Sequence, residues 1–384
     1  MRELKQLLII SCGSLLFLSP SSNAAQPLAA ESLTEETLAV PYSPHTVIIY
    51  DEAINNETDS RMIVFDADQQ RRLGQIDSGY YPNVAISPDH SELAVATTYW
   101  SRGGHGLRSE VVEFWDLRTL RLKGEIPMPN TRLQGPPTLY QLAYSQDGRF
   151  LYSHALTPAA AWTIVDLKTR TVVGDVDTDG CVELIPSLNR RLTGICENGR
   201  LLSVVLDETG HEQSRSQSPA FFNDETDPVF IQAIPTDRGV AFLSHHGVVH
   251  EVDLTNDQVR IQDGWSLIGP QDSRWRPGGT QMGAWHPTLH RLYVQMHLGG
   301  NGSHKEGGSE IWAFNTLTHQ RIGRFAIDTK KYGDIIATQV TPDESPLLIL
   351  ATTQSKVLTL DAKTGHVLHV KDGLGQTPWY VVNP

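Results

Sequence analysis

An all-β fold, a seven-bladed β-propeller, is predicted by three features of this 384-residue sequence. A strand–turn–strand unit recurs along the chain, Gly 31 and Pro 22 punctuate it often, and an apolar strand ends it. The recurring unit is an apolar strand closing on Asp or Asn, a short polar turn and a second strand. Its marks fall at Asp66, Asp116, Asp166, Asp207, Asp253, Asn315 and Asp361, with spacings of 50, 50, 41, 46, 62 and 46 residues. Those intervals suit four short strands each. A second mark lies between them, a Ser/Thr/His turn often followed by Pro, around Pro88, Asp147, Pro287 and Pro342. Each repeat thus carries two hairpins, with turn residues chosen for the conformations they favour. The last strand, Thr377-Pro378-Trp379-Tyr380-Val381-Val382, is expected to close the ring beside Val47 to Tyr50. A pair of β-sandwiches would use similar strands, but it does not call for a fixed period. The 62-residue interval, holding Trp275 and Gly299 to Gly308, should place extra loops outside the wheel.

Composition narrows the class. Apolar residues at 39% and charged residues at 20% describe a water-soluble globular chain. The formal charge of −13, with no basic run, argues against nucleic acid or an anionic membrane as partner.

Residues 1–24 are read as a cleaved secretory signal peptide. Arg2 and Lys5 precede the apolar stretch Leu7 to Leu18, and Ser22-Asn23-Ala24 offers a small-residue cleavage site. Removing them leaves a charge of −14. The expected compartment is the periplasm. Ile9-Ile10-Ser11-Cys12 also resembles a lipoprotein box that would lipidate Cys12, against which stands the short apolar run before it. No later apolar run is long enough to span a bilayer. Residues 25–44 are assigned to an N-terminal extension and 45–384 to the propeller.

Cleavage would leave Cys181 and Cys196, and an even pair in an exported chain is most simply a disulfide. A turn around Pro186-Ser187-Leu188-Asn189 would make the bridge a hairpin clamp, the alternative being a metal or redox pair. Metal sites draw little support. His245, His246 and His250 cluster, and His286 and His290 flank a Pro287 turn, but neither set shows a complete ligand pattern. Asn83, Gln141, Gln281 and Gln339 fall at the starts of inner strands, where hydrolase propellers hold a cation. Neutral amides make a poor cage for a hard cation, so a hydrolase is a weak alternative. No P-loop, nucleotide fingerprint or nucleophile elbow occurs. No catalytic residue is therefore expected in this chain. Trp275 between Arg274 and Arg276, before Pro277-Gly278-Gly279, pairs residue types common at interface hot spots.

These residues carry a resemblance. Arg274-Trp275-Arg276-Pro277-Gly278-Gly279, Trp285-His286, Gly302-Ser303-His304-Lys305, Glu310-Ile311-Trp312, the Asp179-Gly180-Cys181 start and Cys196-Glu197-Asn198-Gly199 resemble the heavy subunit of quinoprotein amine dehydrogenases, the methylamine and aromatic amine types. The Ser-His-Lys loop looks closer to the aromatic type. The resemblance implies a chain without catalytic residues, cofactor or metal of its own. It would assemble, two heavy with two small chains, with a light subunit carrying tryptophan tryptophylquinone. That complex would oxidise primary amines to aldehyde and ammonia and pass electrons to a blue-copper protein. Arg274 to Gly279, His304 and Lys305 would then be small-subunit interface. Ala53, Ile54, Asn55 and Asn56 would form a loop at the substrate channel, where the family usually has an aromatic residue; that departure leaves the amine open. A stand-alone periplasmic propeller binding a ligand or protein is the rival reading.

Overall fold

The computed structural model describes residues 36–135, 138–178 and 180–384. The assigned signal segment, Cys12, most of the 25–44 extension and Asp179 lie outside them. Seven antiparallel sheets form the described fold, and each is one blade. Blade 1 runs outward from Pro378–Val382 through Thr46–Asp51 and Ser60–Asp66 to Arg71–Ser78. The closing strand thus comes from the C-terminus, as expected, with Ile48 opposite Val382 and Tyr50 opposite Tyr380. Blade 2 starts at Tyr80–Ile86, blade 4 at Cys181–Ser187, blade 5 at Ile234–Pro235 and blade 7 at Ile335–Val340. Blades 3 and 6 each split the inner position between two short strands, Thr131–Arg132 with Leu142–Tyr144, and Trp275–Pro277 with Gly283–His286.

That last pairing corrects one expectation. Residues 275–277 do not project from the wheel: they add a strand that pairs with Arg291–Leu298. The extra length of the long interval is absorbed in the sheet and in the segments on either side of it.

The seven marks have a local cause. Asp66 Oδ1 accepts the N–H groups of Asp68 and Gln69, each at 2.9 Å, and Asn315 Oδ1 those of Leu317 and Thr318, each at 2.9 Å. Asp116, Asp166 and Asp361 close their turns in the same way, while Asp207 and Asp253 take the N–H two residues on. In three of its four instances the second mark is a hydroxyl that accepts from the returning strand. Ser87 Oγ takes Glu92 N–H at 3.0 Å, Ser145 Oγ takes Phe150 N–H at 2.9 Å and Thr341 Oγ1 takes Leu347 N–H at 2.8 Å. Short Asx and Ser/Thr turns of this kind satisfy backbone donors that a hairpin bend would strand.

Between neighbouring blades lie the cores. Alternate residues of Thr46–Asp51 serve two of them: Val47 and Ile49 pack toward blade 7, Ile48 and Tyr50 toward blade 2. The strand therefore reads as continuously apolar, because both its faces are covered. Tryptophans 162 and 312, both fully buried, fill the gaps between blades 3 and 4 and between blades 5 and 6.

Candidate functional site

All the turns just described fall on one face of the wheel, the turn face. The opposite, loop face carries the connections between second and third strands and between successive blades. Ala53 to Asn56, Arg274 to Gly279, His304 and Lys305 all belong to that loop face, as do the hairpin ends bearing Cys181 and Cys196. The cysteines form the disulfide expected, and they sit directly opposite each other in the ladder.

The long loop from Gly299 to Ser309 is fastened to residues 274–279. Arg274 O accepts Gly299 N–H at 2.9 Å, and His304 O accepts Gly279 N–H at 3.2 Å. Inside the loop, Ser303 Oγ is 2.9 Å from His297 Nε2 and donates to Gly300 O at 2.8 Å. Gln295 Nε2 reaches the Gly278 carbonyl at 2.6 Å, so a Cβ on Gly279, whose φ is +93°, would fall 1.9 Å from that nitrogen. Only glycine fits there.

Trp275 has partners within the chain. Its ring lies 5.3 Å from that of Trp312, and the Arg324 guanidinium sits over it at 4.9 Å while also pairing with Glu310 at 2.7 Å. It is half-buried, whereas Arg274 and Lys305 beside it are exposed. Arg276 turns back on the backbone, donating to the carbonyls of Ser273 at 2.8 Å and Trp275 at 2.7 Å. His304 stacks on His245 with ring centres 4.3 Å apart, and burial, then the neighbouring imidazole, pushes His245 down to about 4. These rings, with His246, Arg276 and Asn301, line a cavity of about 190 Å3.

At the first-blade loop, Ile54, Asn55 and Asn56 form one exposed helical turn on a buried Ala53 held at φ 48°. The residue before it is more unusual. Glu52 is fully buried, neither carboxyl oxygen has a partner, and burial, with Glu57 and Asp51 nearby, pushes it up to about 7.

The four inner amides are structural pins. Gln281 exchanges two hydrogen bonds with the Val381 backbone, at 2.8 and 2.9 Å, and Gln339 donates to the same carbonyl at 3.2 Å. Asn83 donates to Gln141 and accepts from Arg132 at 3.1 Å. They hold the closing strand and blades 2 and 3. The sequence reading missed a carboxylate at the axis, Glu183, 3% exposed and pushed up to about 8 by burial. Its signal is a lone acid inside the apolar inner strand Cys181–Ser187, with a register shift beside it that re-aims the side chain.

The histidines do not converge. His286 gives Nε2 to the Asp343 carbonyl at 2.8 Å and accepts Leu289 N–H on Nδ1 at 3.3 Å, while His250 packs edge-on against Phe221. Among the described residues no group of three His, Cys, Asp or Glu is placed to hold a metal ion, and no helix is long and apolar enough to cross a membrane.

The described residues define a seven-bladed β-propeller, clamped by one disulfide, whose irregular loops gather on one face. The particular family follows from comparison with known proteins. Residues 45–383 match the model of the methylamine dehydrogenase heavy chain, and the chain belongs to that family. It is 24% identical to the methylamine dehydrogenase heavy chain of Methylobacillus flagellatus, over 82% of this chain and 78% of that one. The same protein of Methylorubrum extorquens is 24% identical over 94% of this chain and 88% of its own. Among solved structures, dihydro-heme d1 dehydrogenase NirN shares the fold, with a TM-score of 0.56 and 13% identity over 91% of this chain and 68% of that one. The β-propeller domain of Cps50 (Swd1) from Myceliophteria thermophila does so at TM-score 0.53 and 11% identity, covering 83% and 96%. The chain is thus a subunit of an amine-oxidising dehydrogenase.

Proposed function

We propose that this chain is the periplasmic heavy subunit of a tryptophan tryptophylquinone-dependent amine dehydrogenase. The observation that carries the reading is the family match across 45–383, over a fold whose loop face holds Ala53 to Asn56 together with Arg274, His304 and Lys305. In this reading the light subunit docks on that face, the quinone it carries accepts the electrons of the amine, and a blue-copper protein collects them. The heavy chain supplies docking surface and part of the channel wall. Its buried tryptophans, Trp162 and Trp312, fill the gaps between blades, while half-buried Trp275, stacked under Arg324, still presents part of its ring to the loop face. Exposed Arg274 and Lys305 offer charge to the partner, and the loop at 53–56 brings no aromatic ring to the channel mouth.

Gentle purification from the native periplasm, with intact mass and a visible spectrum, tests this. A co-purifying small disulfide-rich chain with quinone absorbance is expected. A lone colourless chain would instead favour a stand-alone binding propeller, the reading that the non-aromatic 53–56 loop supports. Trp275→Ala is expected to weaken assembly by about 2 kcal/mol, the cost typical of a truncated hot-spot aromatic. Normal assembly with lowered stability would leave Trp275 a packing residue under Arg324.

A further inference from the structure

The axis of the wheel encloses a cavity of about 470 Å3, within the range of small-molecule sites. Its shaft is apolar, walled by Val84, Leu142, Ile234, Met282 and Ala284 from four blades. It widens toward the turn face, where the lining residues Pro88, Gln146 and Pro235 are exposed. Toward the loop face it ends on a polar floor of Tyr140, Gln232, Gln281 and Tyr380.

That floor has hydrogen-bonding capacity left over. Gln281 is spent on Val381, but Gln232 Oε1 is buried without a partner. Glu183 lies behind it: one carboxyl oxygen accepts the Thr138 hydroxyl at 3.0 Å, the carboxyl also takes the Ala233 N–H, and Oε2 has no partner. Tyr140 and Tyr380 stand close to the same carboxyl and also line the cavity. Blades 1 and 4 lie across the wheel from each other, so a carboxyl of one beside a phenol of the other can only be at the axis. At the floor Gln232 Oε1 is an open acceptor, and Glu183 Oε2 becomes one once its proton leaves; at the wide end the open atoms are Asn383 Oδ1 and the donor Trp285 Nε1. Unpaired buried acceptors are costly, and a buried carboxyl is satisfied best by a cation that also donates hydrogen bonds. The phenol rings of Tyr140 and Tyr380 at the floor, beneath an aliphatic shaft, favour a cation with an apolar body.

We propose that the axial cavity binds an organic ammonium ion with an apolar or aromatic body, its nitrogen against Gln232, its charge balanced by Glu183 and its body along the shaft. The site belongs to this chain alone and does not rest on the amine dehydrogenase reading. Burial holds the Glu183 proton on at pH 7, and the phenols packed around it, Tyr140 and Tyr380, are raised further above neutrality. Seating a cation therefore draws one proton from Glu183 into solvent.

Titration calorimetry of the purified protein at pH 7, with any co-purifying partner retained, tests the site. The probe is N,N-dimethyl-2-phenylethylamine, a tertiary amine that cannot condense with a quinone carbonyl, with 2-phenylethanol as its uncharged counterpart. The ammonium is expected to bind at least about tenfold more tightly than the alcohol, a difference of about 1.4 kcal/mol. Two buffers of different ionisation enthalpy should report one proton released. Glu183→Gln is expected to abolish the release and the preference for the cation, and Ala284→Phe, which fills the shaft, to remove binding of both probes. Should Ala284→Phe fail to fold, Ala143→Leu narrows the shaft from another blade. Equal affinity for the two probes, no binding of the ammonium at millimolar concentration, or undiminished binding to a shaft-filled variant would overturn the proposal.

Discussion

On the turn face an Asp or Asn side chain closes the outer hairpin of every blade with one or two bonds to N–H groups two to four residues ahead. On the loop face the corresponding connections vary, from two residues after Arg102 to eleven after Leu298, and no side chain closes every blade; among the described residues only Ser244 and Thr352 repeat a bond, each to the N–H four residues on. The same strands enter both faces. The difference teaches that the repeat is written where bonds are local and identical, and that chemistry collects where they are not. Loops held by long-range contacts can change blade by blade without disturbing the ring.

The largest test of that contrast is the bridge at the loop face. Cys181→Ser with Cys196→Ser opens a clamp whose ends are 15 residues apart. Chain-entropy arguments give such a loop about 3 kcal/mol. Calorimetry should show a lower Tm, with turnover of the assembled enzyme unchanged at temperatures where both forms are folded. A loss of turnover at equal stability would mean that the clamp positions the loop face rather than blade 4 alone.

Next in size is the axial acid. An unfolded chain gives up the Glu183 proton near 4.5, whereas the folded protein keeps it to about 8. The folded state binds more protons across that window, so the Glu183 contribution lowers stability as pH rises through it. Glu183→Gln removes this slope. The stability gain over wild type, followed through Tm, should be small at pH 5 and grow toward pH 8.5, reaching on the order of 1–3 kcal/mol, the usual cost of an unpaired buried polar group. His154, pushed down to about 4 by burial, contributes an opposite slope below pH 6.5, so the comparison is cleanest above that value. A pH-independent offset would place the Glu183 carboxyl in contact with water.

The two faces also divide what could be read in advance. The seven marks, the closing strand and the cysteine hairpin were legible because each depends on residues within a few positions, or on an apolar run with one possible partner. Asn83, Gln141, Gln281 and Gln339 were legible as inner-strand residues, but their role was not, since their partners lie in other blades or in the closing strand. Glu183 and Glu52 were missed for the same reason. Their burial is set by Thr138, Ala233 and Tyr380 in one case, and by the closure of the loop after Asp51 in the other. Residue type alone makes Trp275 an anchor, and only tertiary packing reveals Trp312 and Arg324 around it.

On the turn face, single substitutions should cost less and add up. Asp116 accepts three bonds, from Arg118 N–H, Thr119 N–H and the Thr119 hydroxyl, and Asp361 accepts the matching three. Asp116→Ala and Asp361→Ala should each cost about 1 kcal/mol. The turns are separated by a whole blade and share no partner, so the double variant should lose the sum to within about 0.5 kcal/mol. Denaturant titration measures all three. A marked excess in the double variant would show that the turns act together through the ring.

The smallest expected effect joins the two ends of the ring. His45, just before the first strand, has Nδ1 2.7 Å from Asp68 and Nε2 3.2 Å from Asp343 in the second-mark turn of blade 7. Burial works to lower its pKa, but the two carboxylates outweigh it and the net shift is upward. With a folded pKa above the unfolded value, the stabilisation is full below about 6.5 and is lost as pH rises through the folded pKa. Both carboxylates are partly exposed, so the contribution is discounted to less than about 1 kcal/mol. His45→Gln should therefore lower Tm slightly at pH 5.5 and not at pH 8.5. An equal loss at both would assign the histidine to packing at the seam, where the closing strand already supplies the backbone bonds that hold blade 1 together.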